Sequence, residues 1–249
     1  MDPTINCDMG ESFGRYRLGD DASLMPLVDL ANVACGFHAA DPTVMRATVS
    51  AAAEAGVAIG AHPALPDLQG FGRRAMAIPG DDLVAIVQYQ VGALCGFLTA
   101  AGGHLSHIKP HGALYGMACR DQNVARAIAE AAAPFDVPVL GLAGTEQDDA
   151  LREKGIPFIP EFYADLDYDD DGLLVIVPEP STRNVGDAAR RAIDALQSGA
   201  VRTINGHSVP VRAETICVHS DNPDASALLK HLRALLNNNE PKRPTVSIS

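Results

Sequence analysis

Tryptophan is missing from the 249 residues, and aromatic side chains reach only 5%. A surface that stacks nucleic-acid bases needs aromatic platforms, and this chain has few to offer. Basic residues are scarce too: 19 Lys+Arg stand against 31 Asp+Glu, a formal charge of −12. No block of Lys or Arg offsets that balance, so no nucleic-acid partner is expected. The five cysteines, Cys7, Cys35, Cys95, Cys119 and Cys217, include no Cys-x-x-Cys pair. An odd, scattered set suits neither a disulfide framework nor a cysteine zinc site, and reduced thiols in the cytoplasm are the expectation. The N-terminus lacks a basic stretch followed by an apolar run, so no secretory leader is expected. Long unbroken apolar runs are also lacking. Leu83–Gly103 carries no formal charge, but Gln88, Tyr89, Gln90, Gly92 and Gly96 interrupt it. A helix buried against a sheet is expected there, not a membrane span.

What is present is 47% hydrophobic residues, enough for a sizeable core. Short apolar runs alternate with longer segments of helical spacing. The strand candidates are 4–7, 30–35, 57–61, 105–109, 137–142, 156–162 and 214–218. Helix starts punctuate the gaps. Asp41-Pro42 reads as an N-cap followed by an N1 proline, with Gly56 as the stop. Pro79-Gly80-Asp81 opens a helix to about Ala101, Asp121 caps one to about Ala132, and Asn222-Pro223 precedes one from Asp224 to about Leu236. Strands separated by helices imply βαβ units and a parallel α/β sheet. About seven repeats favour a closed or nearly closed (β/α) barrel over an open sheet. One domain is expected over residues 1–236, followed by a loosely held tail, 237–249. Two segments break the rhythm: 165–180 reads as an acidic loop with a short strand inside, and 203–213 as a hairpin through Asn205-Gly206.

The chemistry-bearing residues gather at strand ends. The first strand leads to Asn6, Asp8 and Glu11; the second carries Asn32 and leads to His38; the third ends in His62. The fourth ends in Lys109 and His111, the sixth leads to Glu161 and Asp165, and the last ends in His219 and Asp221. In a parallel barrel these ends share one face, where the active site lies. Taken singly, Asp8, Glu11 or Asp221 could simply cap a helix. His104, His107, His207 and His231 are read as structural or surface residues. Lys109 could polarise a carbonyl, hold a carboxylate, act as a base if desolvation lowers its pKa, or form a plain ion pair with Asp8 or Glu161. Asp8 and Glu11, three apart, could divide the ionised and protonated roles of acid/base work. Asp8, His38 and His62 would make a three-ligand site for a divalent metal. The loop 67–74 (DLQGFGRR) matches neither a Walker A nor a dinucleotide fingerprint. Its Arg73-Arg74 would meet an anion or face solvent.

Six motifs carry a family resemblance. NCDMGE (6–11), ANVACGFH (31–38), GAHP (60–63), DLQGFGRR (67–74), KPHGALY (109–115) and ICVHSDNP (216–223) together resemble the LamB/YcsF family. The resemblance implies a seven-stranded (β/α) barrel of the glycoside hydrolase/deacetylase type. It also implies ATP-dependent opening of the lactam 5-oxoproline (pyroglutamate) to L-glutamate, with ATP as co-substrate of a complex with B and C partner subunits. On the matched positions, Asp8, Glu11, Lys109 and His111 are the catalytic candidates. Asn6, Asn32, His38, His62, Tyr115, Glu161 and His219 are the substrate-binding candidates. Readings of another class are a stand-alone metal-dependent amide hydrolase or deacetylase, and a non-catalytic lactam-binding subunit. The chain departs from the family pattern at Leu166, where an Arg is usual, and at 175–179 (VIVPE), which replaces a second basic stretch. Ser220 also stands where glycine is common.

Overall fold

The computed structural model describes residues 3–175 and 184–239. Ten strands occur among them: β1 (Thr4–Met9), β2 (Leu30–Ala34), β3 (Ala58–His62), β4 (Val139–Gly141), β5 (Phe158–Tyr163), β6 (Asp167–Tyr168), β7 (Leu174–Val175), β8 (Ala200–Arg202), β9 (Ser208–Pro210) and β10 (Thr215–Val218). Eight α-helices accompany them: α1 (Asp21–Leu24), α2 (Pro42–Ala55), α3 (Gly80–Ala100), α4 (Gly112–Arg120), α5 (Gln122–Ala132), α6 (Glu146–Lys154), α7 (Val185–Ser198) and α8 (Ala225–Asn239). Six strands form one parallel sheet in the order β3-β2-β1-β10-β5-β4.

The seventh place in the ring belongs to residues 105–109. Ile108 bridges Ala61 on one side and Val139 on the other, both parallel. Ser106 N–H donates to Ile59 O at 2.8 Å, Lys109 N–H to Ala61 O at 2.8 Å, and Ile108 N–H to Pro138 O at 3.0 Å. The curled sheet therefore meets itself through a segment too short and irregular to make a full strand. Pro110 ends it at once, since proline has no N–H to continue a ladder.

Local signals set the helices much as expected. Asp41 caps α2 by accepting from Thr43 N and Val44 N, and Gly56 closes it in the left-handed conformation (φ 69°). Asp121 caps α5 through Asn123 N. The last helix runs three residues past its expected end, to Asn239, and residues 240–249 lie outside the described part. The expected hairpin forms from β8 and β9, turning through 203–207, and the acidic loop holds a second hairpin, β6–β7. Within α3, long and apolar enough to cross a membrane by length and composition, Leu83, Val87, Val91, Leu94 and Leu98 are buried against the protein. Its buried Gln90 is tied to the loop after β3, accepting from Ala64 N at 2.9 Å and donating to Ala64 O at 2.8 Å.

Strand alternation separates two environments. On β1, Ile5, Cys7 and Met9 join the apolar core, while Asn6 and Asp8 hydrogen-bond inside the ring. Gly60 is needed on β3 because a Cβ there would lie 2.2 Å from the His107 ring. Gly60→Ala is expected to lose about 1–3 kcal/mol through overpacking, read as a lowered thermal midpoint.

Candidate active site

A column of polar side chains rises through the ring to the C-terminal strand ends. At its base Asn32 Nδ2 donates to Asn6 Oδ1 at 2.9 Å and to Asp8 Oδ1 at 2.8 Å. His107 Nε2 lies 2.7 Å from Asn32 Oδ1. That oxygen can only accept, so Nε2 carries the proton. Burial pushes the His107 imidazole down to about 3, which keeps it neutral. His107 is thus a structural histidine, as expected, and it positions Asn32 against Asp8.

Lys109 stands at the centre. Its Nζ donates to Asn6 Oδ1 and Asp8 Oδ1, each at 3.1 Å, and lies 2.9 Å from Cys217 Sγ and 3.1 Å from Glu161 Oε2. Burial alone would push the ammonium down, but Asp8 and the other acidic groups around it outweigh this and hold it well above its usual value. Lys109 is therefore a fixed cation. The base role that desolvation could have given it is not the one this site builds. Both ion pairs foreseen for it, with Asp8 and with Glu161, form together.

Asp8 faces the opposite balance. Burial would raise its carboxyl, yet His62, Lys109 and His219 hold it well below the usual carboxylate range. Its Oδ2 lies 3.3 Å from His62 Nε2 and 3.8 Å from His219 Nε2. His219 in turn is held by Asp165, whose oxygens lie 3.0 and 3.1 Å from Nδ1, and Asp165 also accepts from the His219 backbone N–H at 3.0 Å. Burial alone would lower the imidazole, but Asp165 and then Asp8 push it up to about 9. His219 is an imidazolium at neutral pH.

Glu11 belongs to a neighbouring group. Gly10 takes a positive φ of 73° and turns the chain after β1. Glu11 Oε1 then meets His38 Nε2 at 3.1 Å and His111 Nδ1 at 3.8 Å, while Oε2 accepts from Ser220 Oγ at 3.3 Å. Burial, followed by the charge of Asp8, pushes Glu11 up to about 7. His38 stacks on His111 with ring centroids 3.7 Å apart. Burial pushes both of these imidazoles well below their usual range.

The cleft over this face is lined by Asp8, His62, Lys109, His111 and His219, with Tyr163, Arg73, Asp221 and Leu166 around them. The candidate residues therefore divide. Asp8, Lys109, His111, His62 and His219 border the cleft. Glu11, Asn6, Asn32, His38 and Glu161 are buried behind it and reach it through their neighbours. Tyr115 packs edge-on against Tyr163, 5.7 Å between centroids, and does not border the cleft. Arg73 pairs with Asp221 at 2.6 Å on the rim, and Arg74 forks onto buried Asp67 to brace its loop. Leu166 borders the cleft, at the position where the sequence resemblance leads to the expectation of an Arg; most of the 175–179 stretch lies outside the described residues.

The metal set read from the sequence, Asp8 with His38 and His62, is sorted differently in space. Donor atoms of Glu11, His38, His62 and His111 lie within 4.8 Å of one another, while Asp8 groups with Cys217 and His219 and still has its Oδ2 3.3 Å from His62 Nε2. Three residues carry more of the site than their place in the sequence suggested: His107, Cys217 and Asp165. The first two were legible, since each sits two positions before a cleft residue (Lys109, His219) on the same face of its segment.

These features define a class: a parallel (β/α) barrel with a buried carboxylate–ammonium–imidazolium site at its C-terminal mouth. Comparison narrows it. The LamB/YcsF family model matches residues 4–247. A protein of Emericella nidulans named lactam utilization protein lamB is 45% identical over 230 residues, covering 91% of this chain and 90% of its own. A Bacillus subtilis protein named as the A component of 5-oxoprolinase is 46% identical over 236 residues, covering 93% and 92%. The crystal structure of a lactam utilization protein from Thermus thermophilus superposes with a TM-score of 0.88 at 42% identity, covering 96% of this chain and 97% of that one. The chain belongs to the LamB/YcsF family.

Proposed function

We propose that this chain is the lactam-binding, ring-opening subunit of an ATP-dependent 5-oxoprolinase, which converts 5-oxoproline to L-glutamate together with B and C partner subunits. Relatives at about 45% identity along nearly the whole chain are named as components of that enzyme. The observation that carries the reading is the cleft floor. There an ionised Asp8 is flanked by the fixed ammonium of Lys109 and the imidazolium of His219. A small ring with one carboxylate and one amide oxygen suits two buried cations below and Arg73 at the rim.

An amide resists water because resonance stabilises it, so ATP is the co-substrate. Its γ-phosphoryl group passes to the lactam oxygen, and a water adds to that carbon. The C–N bond breaks as the ring nitrogen takes a proton, and a second water hydrolyses the resulting acyl phosphate to glutamate and phosphate. His219 Nε2 donates towards the lactam oxygen, and Lys109, whose N–H bonds are committed to Asn6, Asp8, Glu161 and Cys217, stabilises negative charge there through its fixed positive charge. Asp8 orients the attacking water, and His111 and His62 border the ring. Asn6, Asn32 and Glu161 hold Lys109 and Asp8 in register. Glu11 and His38 act on the cleft through His62 and His111, and Tyr115 supports Tyr163.

The test is glutamate release from 5-oxoproline with ATP and cognate B and C subunits, each component omitted in turn. Release that requires this chain and ATP is expected. ATP-independent release by the chain alone would move it to the stand-alone amide hydrolases, and binding without release to the carriers. In the same assay Arg73→Met is expected to raise KM for 5-oxoproline about tenfold or more with kcat roughly unchanged, the signature of lost uniform binding.

A further inference from the structure

The group behind the cleft has a proton-count problem. His62 Nδ1 lies 2.7 Å from the Lys109 carbonyl, and His111 Nε2 lies 2.8 Å from the Phe71 carbonyl. Carbonyl oxygens only accept, so both of these outer nitrogens carry the hydrogen. In the neutral rings the two remaining nitrogens, His62 Nε2 and His111 Nδ1, are then lone pairs. They face each other at 3.0 Å. Two lone pairs at that distance, with the Asp8 carboxylate a further 3.3 Å from His62 Nε2, repel unless a cation, a proton or a metal ion, lies among them.

The surroundings supply more donors than a shared proton needs. Glu11 Oε1 stands 3.8 Å from His111 Nδ1 and 3.1 Å from His38 Nε2. His38 Nδ1 is buried without a partner, so no acceptor or donor in the protein fixes the tautomer of this ring, and its Nε2 can present a lone pair beside Glu11. A tetrahedral ion with bonds near 2.05 Å has ligand atoms about 3.3 Å apart. Of the six separations among the four donor atoms, three are 3.0, 3.1 and 3.8 Å, around that edge, and all six fall within 4.8 Å. The two carbonyls play the part that outer-shell acceptors play for metal-bound histidines, fixing tautomer and ring orientation. The loop that supplies one of them is built for closeness. Phe71 takes a positive φ of 56°, and a Cβ on Gly72 would lie 2.8 Å from both His111 and His38.

We propose that Glu11, His38, His62 and His111 bind one divalent transition-metal ion of the zinc class. Three imidazole nitrogens and one carboxylate oxygen suit such an ion better than magnesium or calcium, which take oxygen ligands. The second cluster, Asp8 with Cys217 and His219, is not the site, because the Lys109 ammonium already holds both Asp8 and Cys217. The assignment stands whether or not the substrate is 5-oxoproline.

The experiment uses the full chain without an affinity tag, stripped with chelator and titrated with Co²⁺. One equivalent is expected, with the strong visible absorption of a low-coordinate site, and Zn²⁺ should displace it. His111→Ala and Glu11→Gln, each checked for an unchanged circular dichroism spectrum, are expected to weaken binding at least about tenfold. Cys217→Ala is expected to leave it unchanged. No uptake by the unaltered chain would overturn the proposal and leave a proton between His62 and His111. Binding lost in Cys217→Ala but kept in His111→Ala would overturn it in favour of the other cluster. If both ligand variants misfold, His38→Gln and the titration of the unaltered chain still decide the matter.

Discussion

Lys109→Met is expected to remove activity, by at least about a hundredfold in turnover, and to destabilise the fold by about 3–5 kcal/mol. Both effects have one origin. The Nζ atom is buried among Asp8, Glu161, Asn6 and Cys217 at 2.9–3.1 Å. Removing the cation strands two carboxylates away from water, and breaking a buried pair costs far more than the pair contributes. Lys109→Arg offers no remedy, since a fork-shaped guanidinium needs more room than a fully buried ammonium occupies. The informative companion is Lys109→Met with Glu161→Gln. It leaves one stranded carboxylate instead of two, so the urea midpoint should recover in part while glutamate release stays absent. A Lys109→Met chain as stable and active as the parent would sink the central role given to this residue.

Asp165→Asn is expected to reshape the pH profile without emptying the site. His219 is held up to about 9 mainly by Asp165, so activity that needs the imidazolium should fall as pH rises through about 9. With the carboxylate replaced by an amide, the imidazole returns towards its ordinary value near 6.5. The alkaline limb then moves down by about two units, and activity at pH 8 drops about tenfold. The stability contribution has the same sign. A histidine whose folded pKa is raised contributes fully below about 6.5 and loses that contribution as pH rises through about 9. The variant should therefore differ most from the parent at acid to neutral pH in thermal midpoint, and least above pH 9. An alkaline limb that stays put in Asp165→Asn would show that another group sets it.

The strand candidates were legible because apolar runs with turn signals at both ends occur where β1–β5 and β10 form. Caps with strong chemistry, Asp41-Pro42 and Asp121, were equally legible. Less so were α4, which starts at a glycine behind His111 with no side-chain cap, and α6, whose sequence EQDDALREK is almost wholly polar. The strand expected at 105–109 carries its side chains as expected but pairs only around Ile108, because Pro110 and Pro138 remove donors on either side. For the site, convergence at the strand ends was readable and partnership was not. Asp8 and Glu11 look like neighbours in sequence, yet the left-handed Gly10 sends one to Lys109 and the other to the histidines. Carbonyl partners such as those of Phe71 and Lys109 leave no mark in composition or spacing, so the tautomers they impose appear only in three dimensions.

The seam at Ile108 gives this barrel a keystone. The other staves of the ring form full strands, while this one bridges its neighbours through Ile108 alone and is held by a few backbone bonds from residues 106–109. The same short stave delivers His107 and Lys109 to the interior. An ammonium cannot lodge there until Asp8 and Glu161 already stand opposite, because without them it would be an unmatched charge away from water. Closing this seam and assembling the reactive centre are therefore coupled. A chain whose centre is miswired would also leave its seam ajar, so amide hydrogens of residues 105–109 would report on the integrity of the chemistry before any substrate is added.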